Sequence, residues 1–239
     1  MNPRDQRAID RTVSELADIY QDQLIAVVVY GEAASASYRP RRSPLTLAVV
    51  LRELTPAGLR RMRPRLRAWQ RRRIPIPLVM DPLYIASSLD VFPLEFLDIA
   101  DQRRLLWGAQ DPFASLDIDS EHLRLEVEGQ MRGKMLHLWE AYLQAGRSKR
   151  RLKRMLLATP PDFELIMHGM LYLHGDPRPD EAQALLTKVE SVFDLQLPTF
   201  KLLEEVRGGG ARLSSSELEE IFEAYLAEVR ALVRVADSL

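Results

Sequence analysis

The apolar positions divide the chain into two stretches of different rhythm. Ile9, Val13, Leu16, Ala17, Ile19 and Tyr20 fall at helical spacing, which predicts an amphipathic helix over 9–20. Residues 24–30 (LIAVVVY) are apolar at odd and even positions alike, the pattern of a strand covered on both faces. Residues 45–51 (LTLAVVL) predict a second strand. The polar segment between them opens with Gly31 and closes on Ser43-Pro44. Its residues 33–37 are too short and small to assign, and 38–43 form a loop with Pro40 and three arginines. Thr55-Pro56 predicts a helix start, with the helix running to about 72 and carrying Leu59, Met62, Leu66 and Trp69 on one face. Residues 74–80 predict a third strand, for which Pro75 and Pro77 imply an edge position or a partly irregular course. Asp81-Pro82 caps a short helix through 89, residues 92–99 (FPLEFLDI) predict a fourth strand, and 101–107 predict a helical turn ending at Gly108.

Turn residues over 108–120 mark a linker, set at 111–119, and beyond it only helical periodicity is found. The predicted helices are 120–145, 148–157, 161–174, 179–193, 198–207 and 214–236. Ser120 and Ser214 suit N-caps, and Ser214 with Glu217 has the spacing of a capping box. No repeat of fixed period is present. The predicted fold class is therefore α/β (α+β): a small mixed-sheet domain over 1–110, followed by an all-α helical bundle over 120–239.

Composition narrows the class. Of 239 residues 46% are hydrophobic and 28% charged, ordinary for a globular chain with a real core. No run approaches the roughly 18 apolar residues that span a bilayer, so no membrane partner is expected. The first ten residues are charged throughout, unlike a secretory signal. With no cysteine there are no disulfides, thiolate metal sites or cysteine nucleophiles, and a cytoplasmic location is the expectation. Residues 1–110 hold 17 Lys/Arg against 12 Asp/Glu, a balance of +5, and residues 111–239 hold 16 against 22, or −6. The asymmetry fits two units with different surfaces.

The segment LIAVVVYGEAASASYRPRRSPLTLAVVL resembles the nucleotidyltransferase superfamily, which has the polymerase-β-like fold. There a strand ends in Gly-Ser, a helix follows, and the next strand opens Ser-Asp-x-Asp before an apolar run. Gly31 matches the glycine, Glu32 stands at the usual serine, and Ser43 matches the second serine. The two aspartates fall on Pro44 and Thr46. Nucleotidyl transfer needs carboxylates to hold the Mg²⁺ ions that stabilise the attacking and leaving oxygens. Paired positions one residue apart on a strand point the same way, and here they offer proline and an uncharged hydroxyl. The resemblance thus implies the frame of a transferase without its acid pair, followed by a helical bundle of the kind found in small-substrate members. It implies nucleotide contacts at Gly31, Glu32, Ser43 and Thr46, with Glu95, then Asp98, as remnants of the third family carboxylate on a later strand. No metal site is expected, and no cofactor unless catalysis is retained, in which case it is Mg²⁺.

The bland readings stand beside these. Gly31 also suits any strand-end turn, Ser43 before proline any loop, Glu32 a surface, and Glu95 the solvent side of an edge strand. Residues 60–73 (RRMRPRLRAWQRRR) carry eight arginines in 14 positions, with Trp69 among them. Arg71, Arg72 and Arg73 are the candidates for nucleic-acid or anion contact, against a solvated helix face as the alternative. A second basic run, RSKRRLKR, lies at 147–154. Arg132 and His137 have the spacing of the motif in HEPN-type helical domains, a pattern that a long charged helix also produces by chance. Three functions remain open: a nucleotide- or anion-binding protein, or one with a regulatory or scaffold role, without transfer; a protein- or RNA-interaction module; and a transferase using Glu95, Asp98 and Asp81. The oligomeric state is not legible.

Overall fold

Strand β1 (Leu24–Tyr30) is the middle of everything in the first unit. A computed structural model of the protein describes residues 1–36, 38–41 and 43–239; Ser37 and Arg42, within the loop of the Gly31–Ser43 segment, lie outside the described residues. The chain forms two units, Met1–Asp119 and Ser120–Leu239.

In the first unit a four-stranded sheet has the order β3-β2-β1-β4, with β2 at Leu47–Leu51, β3 at Leu78–Met80 and β4 at Arg103–Trp107. β1 pairs antiparallel with β2, Val27 opposite Val49, and antiparallel with β4, Val28 opposite Leu105. β2 and β3 are parallel, Val49 opposite Val79, so helix α2 (Pro56–Arg71) is their crossover. Val27, Val29, Leu47, Val49 and Leu51 share one face with Ile9, Leu16 and Tyr20 of α1 (Pro3–Tyr20) and with Met62 and Trp69 of α2. Ala26, Val28, Ala48 and Val50, on the other face, are equally buried.

Polar groups lock α1 to α2. The Tyr20 hydroxyl donates to the Gly58 carbonyl at 3.0 Å. Glu15 accepts from the indole of the fully buried Trp69 at 2.7 Å and from both Arg72 Nη atoms at 3.2 and 3.0 Å. Burial raises the Glu15 pKa, but the bonds from Arg72, Trp69 and Arg11 outweigh it and hold the carboxyl at about 2.

Two predicted elements exchange character. Residues 92–99, read as a strand, belong to helix α4 (Pro93–Asp101), and 101–107, read as a helical turn, supply β4. In FPLEFLDI both periods fit, and Pro93 at the first helical turn decides for the helix. β4 in turn depends on Gly108, whose φ is +118° and where a Cβ would lie 2.5 Å from the Ile25 carbonyl oxygen. The third strand is an edge strand, but pairing starts only at Leu78, past both prolines. Helix α3 (Pro82–Ser88) is capped by Asp81, which accepts from the Tyr84 amide at 2.7 Å. The segment 111–119 is packed into the first unit: Asp111 pairs with Arg103 at 2.6 Å and accepts from the Phe113 amide at 2.9 Å.

The second unit is all-helical: α5 (Ser120–Ala145), α6 (Lys149–Ala158), α7 (Pro161–His174), α8 (Ala182–Phe193), α9 (Pro198–Gly208) and α10 (Leu218–Ala236). Phe163, Phe200 and Tyr225 meet edge-on or tilted at its centre, with ring centroids 4.7–6.3 Å apart. Glu228 of α10 caps α9, accepting from the Thr199 and Phe200 amides at 2.8 and 3.0 Å. The capping box predicted at Ser214 does not form; α10 starts at Leu218, and the Glu217 amide donates to the Ser214 carbonyl at 3.3 Å. Arg132 is paired with Asp237 at 2.7 Å, and His137 is an exposed partner of Glu140 at 3.2 Å. No described helix is long and apolar enough to cross a membrane.

Two consequences are measurable. Glu15→Gln should lower the unfolding free energy at pH 7 by about 2 kcal/mol in urea titrations, because a neutral amide cannot satisfy the indole and the guanidinium together. Since the folded pKa of about 2 lies below the unfolded 4.5, the native contribution is complete above pH 4.5 and is lost as pH falls toward 2; E15Q should lack that slope. In the second unit, burial and then the Arg178 charge hold His168 at about 3. Its contribution is complete above the unfolded value of 6.5 and fades as pH falls toward 3, so melting temperatures recorded from pH 7.5 to 5 should fall less in His168→Leu than in the parent protein.

Candidate functional site

At the end of β1 predicted site residues meet. Gly31 takes φ +62°, a left-handed conformation that ends the strand in a single 3₁₀ turn, Gly31–Ala33, rather than a longer helix. A Cβ at Gly31 would lie 3.8 Å from Thr46 Oγ1 and 3.9 Å from Asp98 Oδ2. The absent side chain therefore leaves a small space on which a hydroxyl and a carboxylate converge. Thr46 is half-buried and donates its hydroxyl to the Tyr30 carbonyl at 2.6 Å. The Gly31 amide is also committed, donating to the Gln102 carbonyl at 2.8 Å. Burial, and then the Asp98 charge, raise the pKa of the neighbouring Tyr30 phenol.

Helix α4 sets the acids. Asp98 is half-buried and reaches Gly31; Glu95, one turn earlier, is exposed. Both sit on a helix, so the family's strand-borne third carboxylate has no positional equivalent in 92–99. Asp81 is occupied at its helix cap and also accepts from the Leu54 amide at 3.0 Å. Glu32 and Pro44 are exposed.

Ser43 and two of the three arginines are structural. Ser43 is buried, its Oγ accepts from the Arg39 amide at 2.8 Å, and its carbonyl accepts from Arg73 Nη2. Arg73, at φ +67°, also contacts Asp5 at 3.4 Å, while its carbonyl accepts from the Leu45 amide at 3.1 Å. Asp5 further accepts from Asn2 at 3.0 Å and from the Tyr38 hydroxyl. Burial raises the Asp5 pKa, but the Tyr38 bond and Arg73 outweigh it and bring it below the ordinary value. Burial, then the same bond, pushes Tyr38 up to about 12. Arg72 belongs to Glu15, and Arg71 alone of the three is exposed. Sequence reading missed Asp5, Glu15 and Tyr38, because their partners lie 33 to 68 positions away.

Within 4 Å of where a Gly31 Cβ would lie, and apart from the neighbours Tyr30 and Glu32, the described residues place one carboxylate oxygen, of Asp98, and one uncharged hydroxyl, of Thr46. Among the described residues no group of three or more His, Asp or Glu side chains could hold a metal ion. This donor set does not fit a two-ion centre, which needs several carboxylate oxygens.

No family model matches the chain, and no curated protein matches it. Among solved structures the chain is similar to a spectinomycin adenyltransferase from Enterococcus faecialis, a crystal structure with ATP and spectinomycin. The TM-score is 0.59, the match covers 95% of this chain and 98% of that one, and 10% of residues are identical. At that identity the likeness concerns the fold. Together with the mixed sheet, the turn at Gly31 and the helical second unit, it shows that this chain has a nucleotidyltransferase-like fold.

Proposed function

We propose that the protein is a nucleotidyltransferase-like binding protein of the cytoplasm, which holds a nucleotide or related anion at the Gly31 turn without transferring a nucleotidyl group. The observation that carries this is the pair Pro44 and Thr46 at the positions of the family's two aspartates. The Thr46 hydroxyl is tied to Tyr30 at 2.6 Å, and Asp98 is the carboxylate beside it. With no group of three or more acids or histidines able to hold a metal ion among the described residues, a triphosphate bound to two Mg²⁺ ions has too little counterpart to organise an in-line displacement. The solved structure of similar fold holds ATP, which supports a nucleotide as the ligand class. As the Gly31 amide already serves Gln102, backbone donation to a phosphate falls to the next amides, Glu32 and Ala33.

A reading in which the protein is an active transferase relying on Glu95, Asp98 and Asp81 is weaker, because Asp81 is spent on two backbone amides and Glu95 is exposed. The interaction-module reading finds its best footing in the arginines rather than at this turn.

Calorimetric titration with ATP should show binding that Mg²⁺ changes little. Gly31→Ala, which places a methyl where Thr46 and Asp98 converge, should weaken it about tenfold, the worth of roughly one hydrogen-bonded contact. Incubation with γ-labelled ATP and candidate acceptors should release no labelled pyrophosphate. Release that disappears in Asp98→Asn would establish transfer and overturn the proposal, and absence of binding at millimolar ATP would remove the ligand.

A further inference from the structure

A second concavity lies on the other side of the sheet from Thr46, where α1 and α2 cover it. Leu45 and Leu47 point into the α1/α2 core, so Thr46 between them points away from it. The concavity has a volume of about 490 Å³, within the range of small-molecule sites. Arg4, Arg7 and Arg11 line it from successive turns of one face of α1. Arg41 enters from the loop before β2, and Arg71–Arg73 come from the end of α2.

Three of these arginines are already bound within the protein. Arg11 and Arg72 contact Glu15 at 3.1 and 3.0 Å, and Arg73 contacts Asp5 and Ser43. Arg4, Arg7, Arg41 and Arg71 form no ion pair among the described residues. Among the described residues the single carboxylate in the wall, Asp5, is taken by Asn2, Tyr38 and Arg73. The wall therefore carries four arginines without a counter-charge, held on a braced frame. Guanidinium forks match phosphate oxygens two at a time, and several around one space suit more than one phosphate. Among the described residues no aromatic side chain lines the space, so none of them would stack on a base.

We infer that this arginine-lined concavity is a binding site for a small polyphosphate anion, recognised through its phosphates. It is separate from the nucleotide contact proposed at Gly31. The anion is either a free polyphosphate or the phosphate tail of a nucleotide, and the experiment separates the two.

The test is calorimetric titration of the full chain with sodium tripolyphosphate, at about 50 and 200 mM salt. Binding is expected, weaker at the higher salt. The triple variant Arg4→Gln, Arg7→Gln, Arg71→Gln should lower affinity by at least about a hundredfold, because several charge-assisted contacts vanish together. None of these side chains braces the fold, and Arg41→Gln alone, expected to cost about tenfold, serves if the triple variant fails to fold. A control triple variant at the exposed Arg60, Arg63 and Arg67, farther back on α2, should bind as the parent does. Equal weakening in the control would show diffuse surface charge and overturn the site, as would parent-like affinity in the first variant or no binding at all. Gly31→Ala should leave tripolyphosphate binding unchanged, so failure here and failure of the nucleotide proposal are distinguishable. ATP that displaces tripolyphosphate from both the parent and Gly31→Ala identifies the anion as a nucleotide tail; no displacement identifies a free polyphosphate. A single-stranded RNA that binds more than tenfold tighter than tripolyphosphate through the same arginines would overturn the small-anion assignment.

Discussion

A strand that is apolar on both faces and bonded along both edges constrains the whole first unit. β1 has no side exposed to water, so two helices cover one face, the other face is buried as well, and β2 and β4 occupy its flanks. Such a strand cannot slip by one residue without exchanging its two faces, and the pairings on either side fix it twice. Its last residue then determines where the chain may turn. Gly31 lies at that point, and Thr46 and Asp98 meet there because β2 and α4 are positioned against the same strand end.

Polar anchoring completes the frame. Glu15 and Asp5 on α1 each collect donors from segments far along the chain, and those donors include the arginines that end α2. An arginine-rich run is therefore two populations. Some of its members are internal fasteners whose charge is already matched, and the others stand in solvent around the same concavity.

Long elements with a clear period were legible in the amino-acid pattern. β1, α1, α2 and the helices of the second unit follow from runs whose length excludes the other period. The segment from Phe92 to Trp107 was not, because eight residues with five large apolar side chains satisfy a strand and a helix equally. Tertiary demand settled it: β1 needed a second partner, and Arg103–Trp107, followed by the side-chain-free Gly108, could approach it. At the site, the glycine and the threonine were legible from the frame between two strands. The acid beside them, Asp98, stands behind Glu95 in a strand reading, since a strand puts alternate residues on one face and a helix does not. Ser43, Arg72 and Arg73 owe their roles to Asp5, Glu15 and a loop, and no local spacing encodes such distant partners.

The edge of the sheet at β3 bears on how the chain behaves at high concentration. Pairing there is three residues long, and the two positions that would extend it inward from the loop, Pro75 and Pro77, have no amide hydrogen to offer. Ile76 and Leu78 beside them are exposed and apolar, the kind of side chains that invite a neighbouring molecule's strand. The prolines leave that apolar edge with too few donors to template a continuing ladder. Protection of this edge thus rests on one exposed and one buried proline, and the same prolines that shorten the strand oppose the growth of the sheet from one copy into another.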